Sequence, residues 1–354
     1  MKKTKIICTL GPKSDSKTEI KRLVQAGMDI GRLNFSHGNY EHHAKMIHSI
    51  RKVSKELKKE IPIIVDLQGP KIRLGKISDR GLTIKRGQII VLTTHNANRK
   101  SQIIKIPIQY NSLPSEIKTG ESILIDDGLI ELLVLSKNKT DIKCKVIIGG
   151  KISSNKGINV PDTNLKKIST ITNKDKEDLK FVLKFHPEYV ALSFTKNAQD
   201  IADLKKFIEK ELMLTYNAQQ IKKKLPKIIA KIECQQGVNH LEEITEVADE
   251  LMVARGDLAV EVGDEKVPIL QQKIINLSHK YGKTAIVATQ MLSSMVNNPR
   301  PTRAEVSDIA TAVFENADKI MLSNESSVGK FAVKAVQIMT KTIKEVEKYD
   351  NPWR

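Results

Sequence analysis

The chain has 354 residues, 40% of them hydrophobic, which is enough to bury the core of one large domain or two moderate ones and favours a folded protein over a disordered chain. Its formal net charge is +18, from 59 Lys and Arg against 41 Asp and Glu, yet its basic clusters are short and only 4% of residues are aromatic. This distribution argues against a nucleic-acid-binding surface and favours a lysine-rich solvated surface that also attracts phosphorylated metabolites.

The cysteines and the amino-terminal segment indicate a cellular compartment. Cys8, Cys144 and Cys234 lie far apart and form an odd number, which suits a reducing compartment better than a disulfide-bonded secreted protein. The apolar stretch at residues 6–10 is too short for the core of a signal peptide, and no run approaches the length of a membrane span. We therefore expect a cytoplasmic protein without a membrane partner.

Short apolar segments of β character alternate with segments of helical periodicity at the start of the chain, which is typical of βα units with a parallel sheet. The expected elements are strands at 5–10, 29–34 and 62–66 and helices at 19–26 and 41–58. The pattern changes after Pro70. Residues 75–162 alternate in two-residue steps, with a turn at Asp127-Gly128, and this predicts a small β-domain inserted after the third strand.

The alternation of strands and helices resumes after the insertion. Thr172 is expected to cap a helix, and Thr302 with Glu305 form a capping box for a later one. Five further strands are expected at 189–194, 227–232, 250–254, 284–288 and 319–322.

Eight strands, each followed by a helix or by the insertion, fit a closed (β/α)₈ barrel or a doubly wound open sheet. Polar residues cluster directly after the strands, as the catalytic face of a barrel requires. We therefore predict a (β/α)₈ TIM barrel, formed by residues 1–69 and 163–354. A small β-barrel lid domain, residues 70–162, is inserted after the third strand.

Charged side chains follow two neighbouring strands of the predicted barrel. Lys231 and Glu233 lie two residues apart at the end of the fifth strand and so point the same way, and Asp257 follows the sixth strand. Two carboxylates with room for substrate oxygens predict a Mg²⁺ or Mn²⁺ site. A buried structural ion pair between Lys231 and Asp257 is the alternative interpretation of these residues taken alone.

Further charged residues follow the second and third strands. Arg32 and Asn34 share a face, and a guanidinium group at such a place suits a phosphate or carboxylate. Asp66, Lys71 and Arg73 bring a carboxylate and two cations to the hinge of the insertion. The glycine and lysine spacing there does not fit a P-loop, and the nearby histidines lack the spacing of a helical zinc site, so we expect neither.

Eight segments, in this order, resemble the pyruvate kinase family: residues 32–38, 66–73, 156–161, 231–233, 252–260, 287–291, 301–308 and 321–323. The resemblance implies a glycolytic enzyme that transfers the phosphoryl group of phosphoenolpyruvate to ADP, giving pyruvate and ATP, with Mg²⁺ or Mn²⁺ as cofactor. Two alternatives are another metal-dependent phosphoenolpyruvate or pyruvate barrel, such as an aldolase or a mutase, and a degenerate basic barrel that binds nucleic acid.

The resemblance also implies roles for individual residues. Glu233 and Asp257 would bind the divalent ion, Lys231 would stabilise the phosphoryl group during transfer, and Arg32 would hold the transferring phosphate. The other implied roles are binding of the substrate carboxylate by the backbone of Ala254, Arg255 and Gly256, proton delivery to the enolate by Thr289, and nucleotide contacts by His37, Arg73 and Lys156.

Many members of the family bind K⁺, and this chain differs at that site. The matching ligands would be Asn34, Ser36, Asp66 and the carbonyl group of Leu67, but those members carry Thr-Lys and Glu where this chain has Leu67-Gln68 and Lys71. The Lys71 ammonium group would stand in for the monovalent cation. We therefore expect activity without added K⁺.

The chain departs from the family pattern at Gly31, Cys234, Ala259, Asn324 and Ser326, none of which removes Lys231 or a metal ligand. The pattern has Gly at the Asn324 position, where the loop after the eighth strand could require glycine for its backbone shape. Members of the family usually continue beyond the position of the last residue into a domain with a sugar-phosphate effector site. We therefore expect no activation through that site, hyperbolic kinetics unless the barrel interface itself couples subunits, and a homo-oligomer formed through the barrel.

Overall fold

The structure is a computed structural model, and it describes residues 2–78, 81–95 and 103–349. It begins with β1 (Lys5–Thr9), α1 (Lys17–Ala26), β2 (Ile30–Asn34), α2 (Tyr40–Leu57) and β3 (Ile63–Asp66). Ser16 and Asn39 begin the two helices, because each side chain accepts a hydrogen bond from a backbone N–H that the helix leaves without a partner.

The chain then forms the insertion. Its elements are β4 (Ile72–Arg73), β5 (Leu82–Ile84), β6 (Ile89–Thr93), β7 (Ile104–Pro107), α3 (Leu113–Glu116), β8 (Ser122–Ile125), β9 (Ile130–Lys137), β10 (Asp141–Ile148), β11 (Gly150–Ile152) and β12 (Gly157–Asn159). Seven strands form one sheet in the order β4-β12-β8-β9-β10-β6-β7, and β11 pairs with β5.

The insertion has a hydrophobic core of its own. Ile142, Cys144 and Val146 alternate along β10 and are fully buried, as the two-residue alternation of the sequence predicts. The strands that enter and leave the insertion, β4 and β12, lie side by side in an antiparallel pair. We propose residues 70–162 as the bounds of this unit.

The second half of the chain returns to alternating helices and strands. They are α4 (Asn173–Val182), β13 (Tyr189–Leu192), α5 (Ala198–Met213), α6 (Ala218–Lys224), β14 (Lys227–Ile232), α7 (Gln235–Asn239), α8 (Leu241–Val247), β15 (Glu250–Ala254), α9 (Arg255–Val262), α10 (Val267–Lys280), β16 (Thr284–Ala288), α11 (Arg303–Phe314), β17 (Lys319–Leu322), α12 (Asn324–Ser327) and α13 (Ala332–Val346).

Eight parallel strands close into a barrel in the order β1-β17-β16-β15-β14-β13-β3-β2. The predicted (β/α)₈ barrel is confirmed, and a doubly wound open sheet is excluded. Alternate strand residues fill the barrel interior, among them Ile7, Ile64 and Met252, while the opposite faces pack against the surrounding helices. The capping box of Thr302 and Glu305 is also present.

Helix α6 was not expected from the sequence. Its only buried residue is Ile221, so it has no apolar stripe to indicate a helix, and its last turn is a run of three lysines. In the part of the chain that the structure describes, no helix is both long and apolar enough to cross a membrane.

A buried ion pair lies at the amino-terminal end of the barrel strands. The Lys319 ammonium group donates hydrogen bonds of 2.6 and 2.5 Å to the two carboxylate oxygens of Glu250 and lies 4.6 Å from the centre of the Tyr189 ring. Burial raises the pKa of Glu250 and lowers the pKa of Lys319, and their mutual attraction opposes both shifts. The pair therefore depends on both partners being present.

Lys319→Met should destabilise the protein by about 3–5 kcal/mol, because it leaves the Glu250 carboxylate buried without a counter-charge. The double variant Lys319→Met with Glu250→Leu should recover most of this loss, since two apolar side chains need no charge partner. Urea unfolding followed by circular dichroism measures both free energies. A single variant as stable as the parent, or a double variant less stable than the single, contradicts this expectation.

Candidate active site

The carboxyl ends of β3 and β14 carry two charged side chains that meet inside the barrel mouth. The Lys231 ammonium group lies 2.9 Å from Asp66 Oδ1, 2.7 Å from Ser193 Oγ and 3.1 Å from Glu233 Oε1. The side chains of Lys231, Asp66 and Glu233 are 9%, 1% and 2% exposed. A cation is thus fixed at this place by two buried carboxylates and a hydroxyl group.

Arg32 lies on the other side of the same aspartate. Its Nε donates to Asp66 Oδ2 at 2.7 Å, and its Nη1 donates to Thr9 Oγ1 at 2.7 Å. Burial by itself would raise the pKa of Asp66, but the charges of Lys231 and Arg32 outweigh burial and hold that pKa below its ordinary value. Asp66 therefore stays ionised and holds two cations close together at the barrel mouth.

Glu233 combines strong burial with nearby negative charge. Its Oε2 accepts a hydrogen bond of 2.7 Å from the backbone N–H of Phe194. Burial raises the pKa of Glu233 above its ordinary value, and the charges of Asp257 and Asp66 raise it further against the opposing effect of Lys231. A further cation next to Glu233 and Asp257 would relieve this repulsion.

These residues fit a hard divalent cation. Glu233 and Asp257 supply carboxylate oxygens, the ligands that Mg²⁺ and Mn²⁺ prefer. Over residues 2–78, 81–95 and 103–349, no group of three or more His, Cys, Asp and Glu side chains is arranged to hold a metal. A pair of carboxylates would leave most of the coordination positions to substrate and water oxygens, and its role as a metal site stays a prediction.

Lys71 lies beside Asp257. Its ammonium group is 2.9 Å from Asp257 Oδ1 and 3.6 Å from Asp127 Oδ1, an aspartate of the insertion. Burial would lower the pKa of Lys71, but Asp257, followed by Asp127 and Glu233, raises it above the ordinary value. Lys71 thus links the hinge of the insertion to the barrel mouth as a full positive charge.

The residues predicted for a monovalent cation have other partners. Both oxygens of Asp66 accept from Lys231 and Arg32, and the Leu67 carbonyl accepts a 2.7 Å hydrogen bond from Ser193 Oγ. The Asn34 side-chain oxygen accepts from the backbone N–H of Ser36 at 3.1 Å. The replacement of K⁺ by the Lys71 ammonium group stays a prediction.

Thr289 lies directly after β16 and faces the start of α9. Its Oγ1 accepts a hydrogen bond of 2.9 Å from the backbone N–H of Gly256. Ala254, Arg255 and Gly256 form the junction of β15 with α9, where the first backbone N–H groups of the helix have no partner inside the helix. Binding of the substrate carboxylate by this backbone stays a prediction.

The residues predicted to contact a nucleotide lie in two places. His37 borders a cavity of about 540 Å³ that also contains Arg32 and Asn324. His43 stacks on Phe35 at 4.1 Å and donates from Nε2 to the His37 carbonyl oxygen at 2.9 Å, which fixes the loop at this cavity.

Arg73 and Lys156 lie in the insertion instead. Arg73 donates to the Asn155 carbonyl oxygen at 3.0 Å, and Lys156 donates to Asp126 Oδ1 at 2.7 Å. The turn of the insertion at Gly128 approaches α9 at the barrel mouth. A Cβ atom added to Gly128 would lie 3.9 Å from Val260 Cγ1.

Two departures from the family pattern have simple structural explanations. Asn324 begins α12 and does not have the positive φ that favours glycine, so its backbone shape needs no glycine. Ser326 Oγ donates to the Thr9 carbonyl oxygen at 2.9 Å and ties α12 to β1.

Sequence reasoning missed Ser193 and Thr9, which hold Lys231 and Arg32 in place. Both lie at the carboxyl ends of barrel strands, the position that singled out the charged residues, but an isolated hydroxyl side chain there is common and gave no further signal.

Known proteins resemble this chain over nearly its whole length. A family model described as "Pyruvate kinase, barrel domain" matches residues 1–336. A protein of Synechocystis sp. named "Pyruvate kinase 2" is 44% identical over 99% of this chain and 58% of its own length. Proteins named "Pyruvate kinase" from Thermotoga maritima and Staphylococcus epidermidis are 41% and 39% identical over 98% and 96% of this chain. The chain covers 72% and 56% of these two relatives.

Proposed function

The chain belongs to the pyruvate kinase family, and from this premise we propose that it transfers the phosphoryl group of phosphoenolpyruvate to ADP, giving pyruvate and ATP. The observation that carries the proposal is the meeting of Lys231, Asp66 and Glu233 at the barrel mouth. The Lys231 ammonium group lies 3.1 Å from Glu233, which together with Asp257 would hold Mg²⁺ or Mn²⁺.

Phosphoryl transfer needs positive charge where the transferring group passes. Arg32 and Lys231 bind opposite oxygens of Asp66, so both cations are held near one point without having to move during the reaction. The transferring phosphoryl group has a loose, highly charged transition state, which fixed cations stabilise more than they stabilise the bound substrate. Arg32 would hold the phosphate, and Lys231 would neutralise charge during transfer.

Glu233 and Asp257 would hold the divalent ion, which when bound neutralises charge on the substrate oxygens. The backbone from Ala254 to Gly256 would receive the substrate carboxylate at the start of α9. Thr289, whose hydroxyl group faces Gly256, would deliver a proton to the enolate through water. His37, Arg73 and Lys156 would contact ADP from the cavity beside α2 and from the insertion.

We propose phosphoenolpyruvate and ADP as the ligands, a cytoplasmic location and assembly into homo-oligomers through the barrel. The test is a coupled assay in which the purified protein, Mg²⁺, phosphoenolpyruvate and ADP are combined and pyruvate and ATP are both measured. No ATP formation, together with aldol cleavage or with salt-dependent RNA binding, would contradict the proposal.

The Lys71 ammonium group predicts activity without added K⁺. The reaction in Tris or Na⁺ buffer should run at the same rate with and without KCl, because a lysine charge is already present at the hinge. Lys71→Met removes that charge and should make the rate depend on KCl. A large stimulation of the unmodified protein by KCl would count against the prediction.

A further inference from the structure

Thr289 has an unusual backbone conformation. Its φ is +70°, and that of the following residue, Gln290, is +58°. A β-branched side chain at positive φ crowds its own backbone, so such a residue persists only where its surroundings hold it. The structure therefore contains contacts that keep Thr289 in this conformation.

Two consecutive residues of α9 provide those contacts. The Arg255 guanidinium group donates to the Thr289 carbonyl oxygen from Nη2 at 2.6 Å and from Nε at 3.2 Å. The Gly256 N–H donates to Thr289 Oγ1 at 2.9 Å. The start of α9 thus binds both the carbonyl group and the hydroxyl group of Thr289. The first contact fixes the backbone of Thr289, and the second fixes the direction of its side chain.

Arg255 is itself held from the opposite side by Asp308 on α11. Asp308 Oδ1 accepts from Nη1 at 2.7 Å and Oδ2 accepts from Nη2 at 2.8 Å, a bidentate ion pair. Gln271 Oε1 lies 3.5 Å from the same Nη1. The Arg255 side chain is 10% exposed and that of Asp308 is 32% exposed, so solvent competes little for the guanidinium group.

We propose that Asp308 is a positioning residue for the enolate protonation step, acting through the Arg255 side chain on Thr289. The bidentate pair fixes the guanidinium plane against the Thr289 carbonyl, and that contact keeps the hydroxyl group aimed at the start of α9. The inference rests on the proposed function and deepens it, because it gives the Asp308 and Arg255 side chains a role in positioning Thr289.

The step that depends on this geometry is a proton transfer. The C=C electron pair of the enolate forms a new C–H bond with a proton from the Thr289 hydroxyl group or from a water molecule that it holds. The enolate oxygen becomes the ketone oxygen of pyruvate, and solvent returns a proton to the hydroxyl group or the water. A threonine that relaxes to negative φ moves its hydroxyl group away from this path.

The test is Asp308→Asn in the full chain, which keeps the shape but removes the charge and one of the two acceptors. We expect kcat to fall by at least about tenfold, because positioned proton transfer contributes about a hundredfold or more to such steps. KM for phosphoenolpyruvate and for ADP should change little. Exchange of the pyruvate methyl hydrogens in D₂O, followed by ¹H NMR with Mg²⁺ and ATP, should slow in parallel with kcat.

Two further variants separate positioning from folding. Asp308→Glu keeps a carboxylate and should recover most of kcat and of the exchange rate. Glu315→Gln removes a neighbouring carboxylate that accepts from Gln271 but leaves the bidentate pair of Asp308 and Arg255 in place, and it should keep both rates. Thermal unfolding of every variant measures stability.

The outcomes are distinguishable. An inactive unmodified chain overturns the proposed function itself. An active chain in which Asp308→Asn keeps both rates overturns the positioning role alone, as does a variant that loses activity only together with thermal stability and substrate binding.

Discussion

Replacing Lys231 with Met should lower kcat by about a thousandfold or more, because it removes a fixed positive charge from the path of the phosphoryl group. The ammonium group is nearly fully buried between Asp66 and Glu233, so its charge is held in one place. The effect should fall mainly on kcat, since this charge is needed most in the transition state.

The rest of the site should survive the change. Asp66 keeps its hydrogen bond from Arg32, and Glu233 keeps its bond from the Phe194 N–H. The assay measures ATP formation at saturating phosphoenolpyruvate and ADP, with circular dichroism as the check on folding. Lys231→Arg is the matched control: it keeps the charge, but its planar guanidinium group does not match the compact ammonium position, so it should stay strongly impaired. A folded Lys231→Met protein with near-normal kcat would refute the assignment.

Glu233→Gln should abolish most of the activity and weaken Mn²⁺ binding by about tenfold or more, because a neutral amide binds a hard divalent cation far less well than a carboxylate does. The substitution keeps the shape of the side chain and the acceptor for the Phe194 N–H. Electron paramagnetic resonance of free Mn²⁺ measures binding without any turnover, which separates loss of the metal from loss of chemistry.

Glu261→Gln is the control for this second prediction. Glu261 is a neighbouring carboxylate whose pKa is also raised by burial, but it accepts a 2.9 Å hydrogen bond from Asn159 of the insertion instead of facing Lys231. This variant should keep the Mn²⁺ affinity of the parent. Equal weakening in both variants would mean that general negative charge, and not a specific ligand, attracts the ion.

The strands were predictable because their signal is local. The predicted strands at 227–232, 250–254, 284–288 and 319–322 coincide with β14 to β17, since buried strands of a parallel sheet appear as short apolar runs between polar loops. The polar residues at the strand ends were also predictable as a group, because the carboxyl ends of barrel strands share one face.

The partners of those polar residues were not predictable, because they depend on strand order. Lys231 on β14 reaches Asp66 on β3 across β13, and the two meet over the small Ser193 side chain. The position of Lys71 depends likewise on how the insertion folds back, and the structure places its charge against Asp257. The spacing of residues along the sequence predicts neither the contact of Lys231 with Asp66 nor the contact of Lys71 with Asp257.

The closed barrel also limits the places at which a strand of a second chain could pair with this molecule. A closed ring of strands has no unpaired edge, so its N–H and C=O groups offer no template for aggregation. The seven-stranded sheet of the insertion has β4 and β7 at its two ends, and these ends meet: the Gly75 N–H donates to the Pro107 carbonyl oxygen at 2.7 Å, and the Gln109 N–H donates to the Arg73 carbonyl oxygen at 2.9 Å. Strand β4 has two residues, and β7 contains Lys105 and Pro107. This pairing, the shortness of β4, and the charge and proline of β7 each discourage the addition of a foreign strand at the insertion.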